Sequence, residues 1–302
     1  MQLPPEITLL EHAGHSALQL LTRHGRAIVA LHGAQLLSWI PTGQREVFWL
    51  SPSALPEPAA IRGGVPVCWP WFARQGMPDG AMQHGPVRGL SWQISAIHAS
   101  SDEEISLSLQ PCAQVTQEAH LSALAPGLQV SLRITLGQTL SQSLQTRNSG
   151  NQPFQLTQAL HSYFAVSHAE QVGIDGLLGL TYQDRLRDLA TNVQRSAFAL
   201  DQACDRTYAQ PQSPADAAQP SAHRYRLSDP AWQRRIAIDT LGSASVVVWN
   251  PGHETARRMA DVPDDGWQDF FCIEAANAGP DVVTLAPGAA HSLAQTLRVM
   301  PA

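Results

Sequence analysis

The chain reads as an all-β, mainly antiparallel protein laid down as one large sandwich domain over residues 1–302. Three observations carry that reading. Apolar residues recur with period two, most cleanly at Leu128, Val130, Leu132, Ile134 and Leu136, which share one face of an extended strand. Turn-forming Gly, Pro and Asn separate such runs along the whole length. Segments with helical periodicity are few and short, and no repeat of solenoid or propeller period is present.

The elements follow in order. Ala17 to Leu21 and Arg26 to Leu31 flank His24-Gly25 and predict a hairpin. Gln35 to Ile40 predicts a further strand, closed by Pro41-Thr42-Gly43. Ser51 to Ala60 is a Pro- and Ala-rich loop. Gln117 to Ala125 reads as a loop or a short turn. Leu128 to Leu136 is a strand, and after Gly137-Gln138 the run Thr139 to Asn148 turns back along it. Ser149 to Pro153 is a turn, from which Phe154 to Phe164 returns as one strand. Gln210 to Ala222, rich in Pro, Ala, Gln and Ser, predicts an exposed loop. Arg235 to Asp239, Ser245 to Trp249, Phe270 to Glu274 and Leu293 to Val299 complete the strands, the last after the turn Pro287-Gly288.

Composition excludes several classes of function. The net charge is -6 and no arginine stripe is present, so no nucleic-acid partner is expected. Lysine is absent, all 19 basic residues being arginine. That removes Schiff-base chemistry, lysine-anchored pyridoxal phosphate and the Walker-type phosphate loop. Any phosphate must be held by arginine, histidine or backbone amides. Cys68, Cys112, Cys204 and Cys272 form no CxxC pair and read as reduced thiols. The N-terminus lacks a basic start followed by an apolar run, and no apolar stretch reaches membrane-spanning length. A cytoplasmic protein, monomeric or weakly self-associating, with no membrane contact is expected.

Four segments could carry chemistry. Arg62 is followed by Gly63-Gly64, and His84-Gly85-Pro86-Val87-Arg88 lies shortly after. Arginine forks suit phosphate or vicinal sugar oxygens, and glycine beside them lets a ligand approach the backbone. His161 sits in the apolar run Ala159 to Phe164, and Glu274 ends the run Phe271 to Glu274. A histidine and a carboxylate on neighbouring strands would make a general acid and base. Plain alternatives stand beside each: a hydrogen-bonded core histidine for His161, a strand cap or arginine partner for Glu274, a turn contact for His84, a fork on carbonyls for Arg62.

Taken together and in order, these segments are more specific. Arg62 to Pro70, His84 to Arg88, Ala159 to Phe164 and Cys272-Ile273-Glu274 resemble the glucose-6-phosphate 1-epimerases, the hexose-6-phosphate mutarotases of the galactose-mutarotase-like group. Asp205 to Tyr208, Val247 to Pro251 and Leu285 to Gly288 extend the likeness, which runs from near residue 30 to the C-terminus. The resemblance implies a β-supersandwich with few short helices and a sugar cleft on an open sheet face. It implies an isomerase that exchanges the anomers of a small-molecule hexose phosphate, with His161 as general acid at the ring oxygen O5 and Glu274 as general base on the anomeric hydroxyl. Arg62 and Arg88 would contact phosphate or sugar oxygens, His84 the sugar, and Asp205 a hydroxyl. No metal or organic cofactor is implied.

Two departures leave the sugar open. Some branches of the family read Phe-Pro-Gln-Phe-Gly where this chain has Trp69-Pro70-Trp71-Phe72-Ala73, so Trp71 either stacks on a pyranose or fills the wall. A phosphate-holding lysine has no counterpart, and Arg74 is the candidate substitute. Competing readings are an aldose 1-epimerase for unphosphorylated sugars, a non-catalytic sugar-phosphate-binding protein, and a glycoside hydrolase pairing Glu274 with Asp205.

Overall fold

A computed structural model describes residues 2–113, 121–211 and 222–301. The loop expectations at 117–120 and 212–221 lie outside the described residues. Nearly all regular structure is antiparallel strand, as the period-two pattern dictates. No described helix is long and apolar enough to cross a membrane.

Two eight-stranded sheets dominate. The first runs Ala190–Val193, Thr181–Asp184, Cys204–Ala209, Ser245–Asn250, Phe270–Asn277, Gln158–Leu160, Val67–Cys68, with Tyr163–Ala165 also paired to Phe270–Asn277. The second runs Gly173–Asp175, Ala222–Asp229, Arg234–Leu241, Ala290–Pro301, Leu140–Asn148, Leu128–Leu136, Ile105–Pro111, Trp92–Ser100. A four-stranded sheet is made by Ile7–His12, His15–Thr22, Gly25–Ala30 and Leu36–Pro41 in sequence order. The predicted hairpins form: Thr22 pairs with Gly25, and Leu136 with Leu140.

One apolar core runs between the two large sheets. Leu160, Val246, Val248, Phe271, Ile273 and Ala275 of the first meet Leu132, Ile134, Leu144, Ile236, Leu293 and Leu297 of the second. Side chains alternate across a strand, so each of these leaves its neighbour on the opposite face. On the first sheet that outer face carries Glu274, Val247, Trp249 and Asp205.

The structure corrects three expectations. Phe154 to Phe164 is not one strand but three short ones, Phe154–Leu156, Gln158–Leu160 and Tyr163–Ala165, with His161 and Ser162 in the second gap. Glu274 does not end its strand: Ala275, Ala276 and Asn277 continue it, because all eight residues of Phe270–Asn277 are buried against neighbours. The glycines beside Arg62 make room for the protein's own backbone, not a ligand. A Cβ on Gly63 would lie 2.4 Å from the Trp49 carbonyl, and one on Gly64 2.2 Å from that of Leu36, both at positive φ.

Candidate active site

The outer face of the first sheet floors a cavity of about 540 Å³. Strand register decides which side chains reach it. Asp205 pairs with Trp249, and Val247 with Glu274, so all four point the same way. Leu160 pairs with Ala275 and Tyr163 with Cys272. The pairing therefore resumes after the gap without a slip, and His161 falls opposite Glu274. The His161 N–H donates to the Pro66 carbonyl at 3.0 Å, which ties the gap to the loop after Arg62. His161 Nε2 stands 3.4 Å from Glu274 Oε1, both side chains buried.

Burial sets the charge of this pair. Desolvation pushes His161 well below the ordinary imidazole range, aided by His84, Arg88 and Arg62. Desolvation also pushes Glu274 well above the carboxylate range, with Asp205 adding and Arg185 and Arg88 opposing. Burial thus drives both groups toward their neutral forms. Neither Glu274 oxygen has a hydrogen-bond partner among the described residues, nor has His161 Nδ1. Buried polar atoms are seldom left so, which marks a place for a polar ligand. The imidazole lies flat on the Tyr163 ring, 4.8 Å between centroids and 11° between planes.

Three arginines surround the pair in different states. Arg62 Nε donates to Asp261 at 2.9 Å and its Nη1 to the Tyr163 hydroxyl at 2.8 Å, so its fork is largely committed. Arg88 sits in the short 3-10 turn Val87–Gly89, buried, with Nε unpartnered and no carboxylate of the described residues within ion-pair range. Arg185 lies 5.1 Å over the Phe72 ring and 3.8 Å from Asp205. Burial first, opposed by Arg185, raises Asp205 to about 6.

His84 occupies a left-handed position, φ 66°. Its Nδ1 accepts the Ala73 N–H at 3.2 Å, so the neutral ring carries its proton on Nε2. Burial and then Arg88, Arg185 and Arg62 hold it well below the ordinary range. It reaches the cavity as a neutral donor. His161, Cys272 and Glu274 also bring ligating atoms within 4.8 Å of one another. Burial and then Glu274 push the Cys272 thiol well above its ordinary range.

The cavity therefore gathers His161, Glu274, Arg62, His84, Arg88 and Asp205. Two expected residues stay away. Trp71 is buried behind the wall, its indole donating to the Met82 carbonyl at 2.8 Å, and it lines a separate hollow with Pro70 and Leu156. Arg74 is exposed on the following turn and does not line the cavity. The aromatic of this stretch that lines the cavity is Phe72, one residue along, and Trp249 lines it from the sheet. Sequence reasoning also missed Arg185, Asp261, Trp249 and the supporting role of Tyr163. Tyr163 and Trp249 lay inside quoted segments; Arg185 and Asp261 carried no local signal.

The chain is similar to known proteins over nearly its whole length. The family model described as aldose 1-epimerase matches residues 17–298. An Escherichia coli (strain K12) protein provisionally named glucose-6-phosphate 1-epimerase is 35% identical over 280 residues, covering 91% of this chain and 87% of its own. The crystal structure of a Salmonella typhimurium protein, provisionally titled a mutarotase, superposes with TM-score 0.86 at 29% identity, over 100% of this chain and 96% of that one. A galactose mutarotase-like protein from Clostridium acetobutylicum shares the fold at TM-score 0.73 and 13% identity, over 98% of each chain.

Proposed function

The chain belongs to the aldose 1-epimerase family of isomerases, and from that premise we propose that it interconverts the α and β anomers of a hexose 6-phosphate, glucose 6-phosphate first among them. The observation that carries the reading is the His161–Glu274 pair, 3.4 Å apart and both lining the cavity, with neither Glu274 oxygen hydrogen-bonded among the described residues.

Anomer exchange opens the C1–O5 bond, rotates C1–C2 and closes the ring on the other face. Glu274 takes the proton from the O1 hydroxyl while His161 gives one to O5, leaving an aldehyde at C1 and a hydroxyl at C5. Closure reverses both transfers. The step neutralises two charges at once, carboxylate to acid and imidazolium to imidazole. Burial penalises those charges in this site, so the opened complex is favoured over the charge-separated closed one. Forming the charge-separated pair costs free energy that ring opening returns. His84 Nε2 donates to a sugar oxygen, and Asp205 accepts from a hydroxyl.

Arg88 supports the phosphate assignment because it is a buried cation without a counter-ion among the described residues, and Arg185 can join it by releasing Asp205. Arg62, already held by Asp261 and Tyr163, serves the wall and the sugar oxygens. Arg88→Ala is expected to raise KM for glucose 6-phosphate about 10–100-fold, the worth of a charge-assisted hydrogen bond. KM for glucose should move less than about threefold. Equal changes for both sugars would remove the phosphate role and favour the unphosphorylated substrate.

Exchange NMR on equilibrated glucose 6-phosphate tests the whole reading. Added protein should accelerate α/β exchange catalytically. Binding without acceleration would make the chain a sugar-phosphate-binding protein instead.

A further inference from the structure

Beneath the acid–base pair a chain of polar side chains crosses the apolar core. Ser162 Oγ donates to Gln295 Oε1 at 3.0 Å, and Gln295 Nε2 donates to Gln142 Oε1 at 2.8 Å. The three are 0%, 1% and 1% exposed. Gln295 and Gln142 are cross-strand partners in the second sheet, and their strands otherwise send Leu293, Leu297 and Leu144 into the same core. Burying amides there is costly, and Gln142 Nε2 remains unpartnered among the described residues. Leucine or methionine would fill the space without that penalty, so packing does not explain these residues.

Their contact point does. Ser162 lies in the gap of the first sheet, immediately after His161. Its N–H turns back to the Leu160 carbonyl at 3.0 Å, which a flat strand does not do, and its carbonyl accepts from Ile273, the residue before Glu274, at 3.3 Å. The gap is a local pucker with the register kept on both sides. Main-chain bonds from the His161 N–H to Pro66 and from the Tyr163 N–H to Gly64 hold its ends to the neighbouring loop, and the Ser162 hydroxyl is its side-chain tie to the core.

We propose that Gln295, braced by Gln142, is a positioning residue: through Ser162 Oγ it fixes the strand interruption that aims the His161 imidazole at Glu274. The inference rests on the reading of His161 as the acid.

The test uses the full-length protein with Gln295→Met, which keeps the volume and loses the acceptor, and Ser162→Ala, which cuts the same bond from the other end. Each should lower kcat for glucose 6-phosphate about 10–100-fold, as expected when a reacting group is misplaced by about an ångström. KM should stay within about twofold, and Tm should hold or rise. The double variant should be no slower than the slower single one, because both remove one interaction. The imidazole NMR signals of His161 should shift in each variant. Unchanged kcat and unchanged ring signals in either folded variant would overturn the proposal, as would additive losses. A His161→Ala protein with near-normal turnover would instead overturn the assignment of His161 as the acid.

Discussion

Glu274→Gln is expected to lower kcat for anomer exchange by at least about 10²–10⁴-fold, the contribution of one positioned proton-transfer group, without loss of fold. The amide matches the carboxyl in shape but cannot take the O1 proton. Its neighbours, Val247 opposite and Ala276 two residues on, belong to a small apolar cluster that does not depend on the charge. The substitution also changes how stability depends on pH, and the sign is fixed by the direction of the shift. Glu274 binds its proton more tightly folded than unfolded. Its contribution is fully present below the unfolded value of 4.5 and is lost as pH rises toward the folded value. Glu274→Gln should remove that decline, so the variant gains on the native protein above pH 4.5 and matches it below. Urea unfolding across a pH series reads this directly. A variant with near-normal turnover would end the assignment of the base.

His161→Ala is the second large effect. Losing the acid should cost a similar factor in kcat, measured by the same exchange NMR. Its stability signature is opposite in sign. A buried imidazole with a lowered pKa contributes stability that is present above the unfolded value of 6.5 and fades as pH falls through that range. The alanine variant should lose that acid-side slope, and removal of the ring from Tyr163 should lower stability at all pH values. Native turnover in a folded His161→Ala protein would refute the acid role.

The fold class was legible because period-two alternation is a local signal, and Leu128 to Leu136 shows it without interference. Acid and base were legible as residue types in a resembling order, not as a geometry. Their meeting is a matter of register, which depends on how residues near 160 pair with residues near 275. The gap at His161 and Ser162 was invisible because apolar residues flank it on both sides. Glu274 read as a terminus because a carboxylate normally leaves the interior, whereas here it is retained inside at a cost. Trp71 was placed at the site on its chemistry, but the backbone turns between Trp71 and Phe72 and the indole faces the other way. Arg185 had no local mark; it stands in the short 3-10 turn Arg185–Arg187, which brings it over Phe72.

The acid stands opposite the base across a break in the ladder, so their spacing is inherited from the paired strands on either side of that break and from the core contact at Ser162. The loop residues that line the space, Leu55, Ala59 and Ala60 on one side and Met82 and Gln83 on another, bear no part of that spacing. Lengthening or recoding either loop should redirect which aldose is admitted while leaving the proton relay at its native pace, a division of labour that makes this scaffold suited to grafting new sugar preferences.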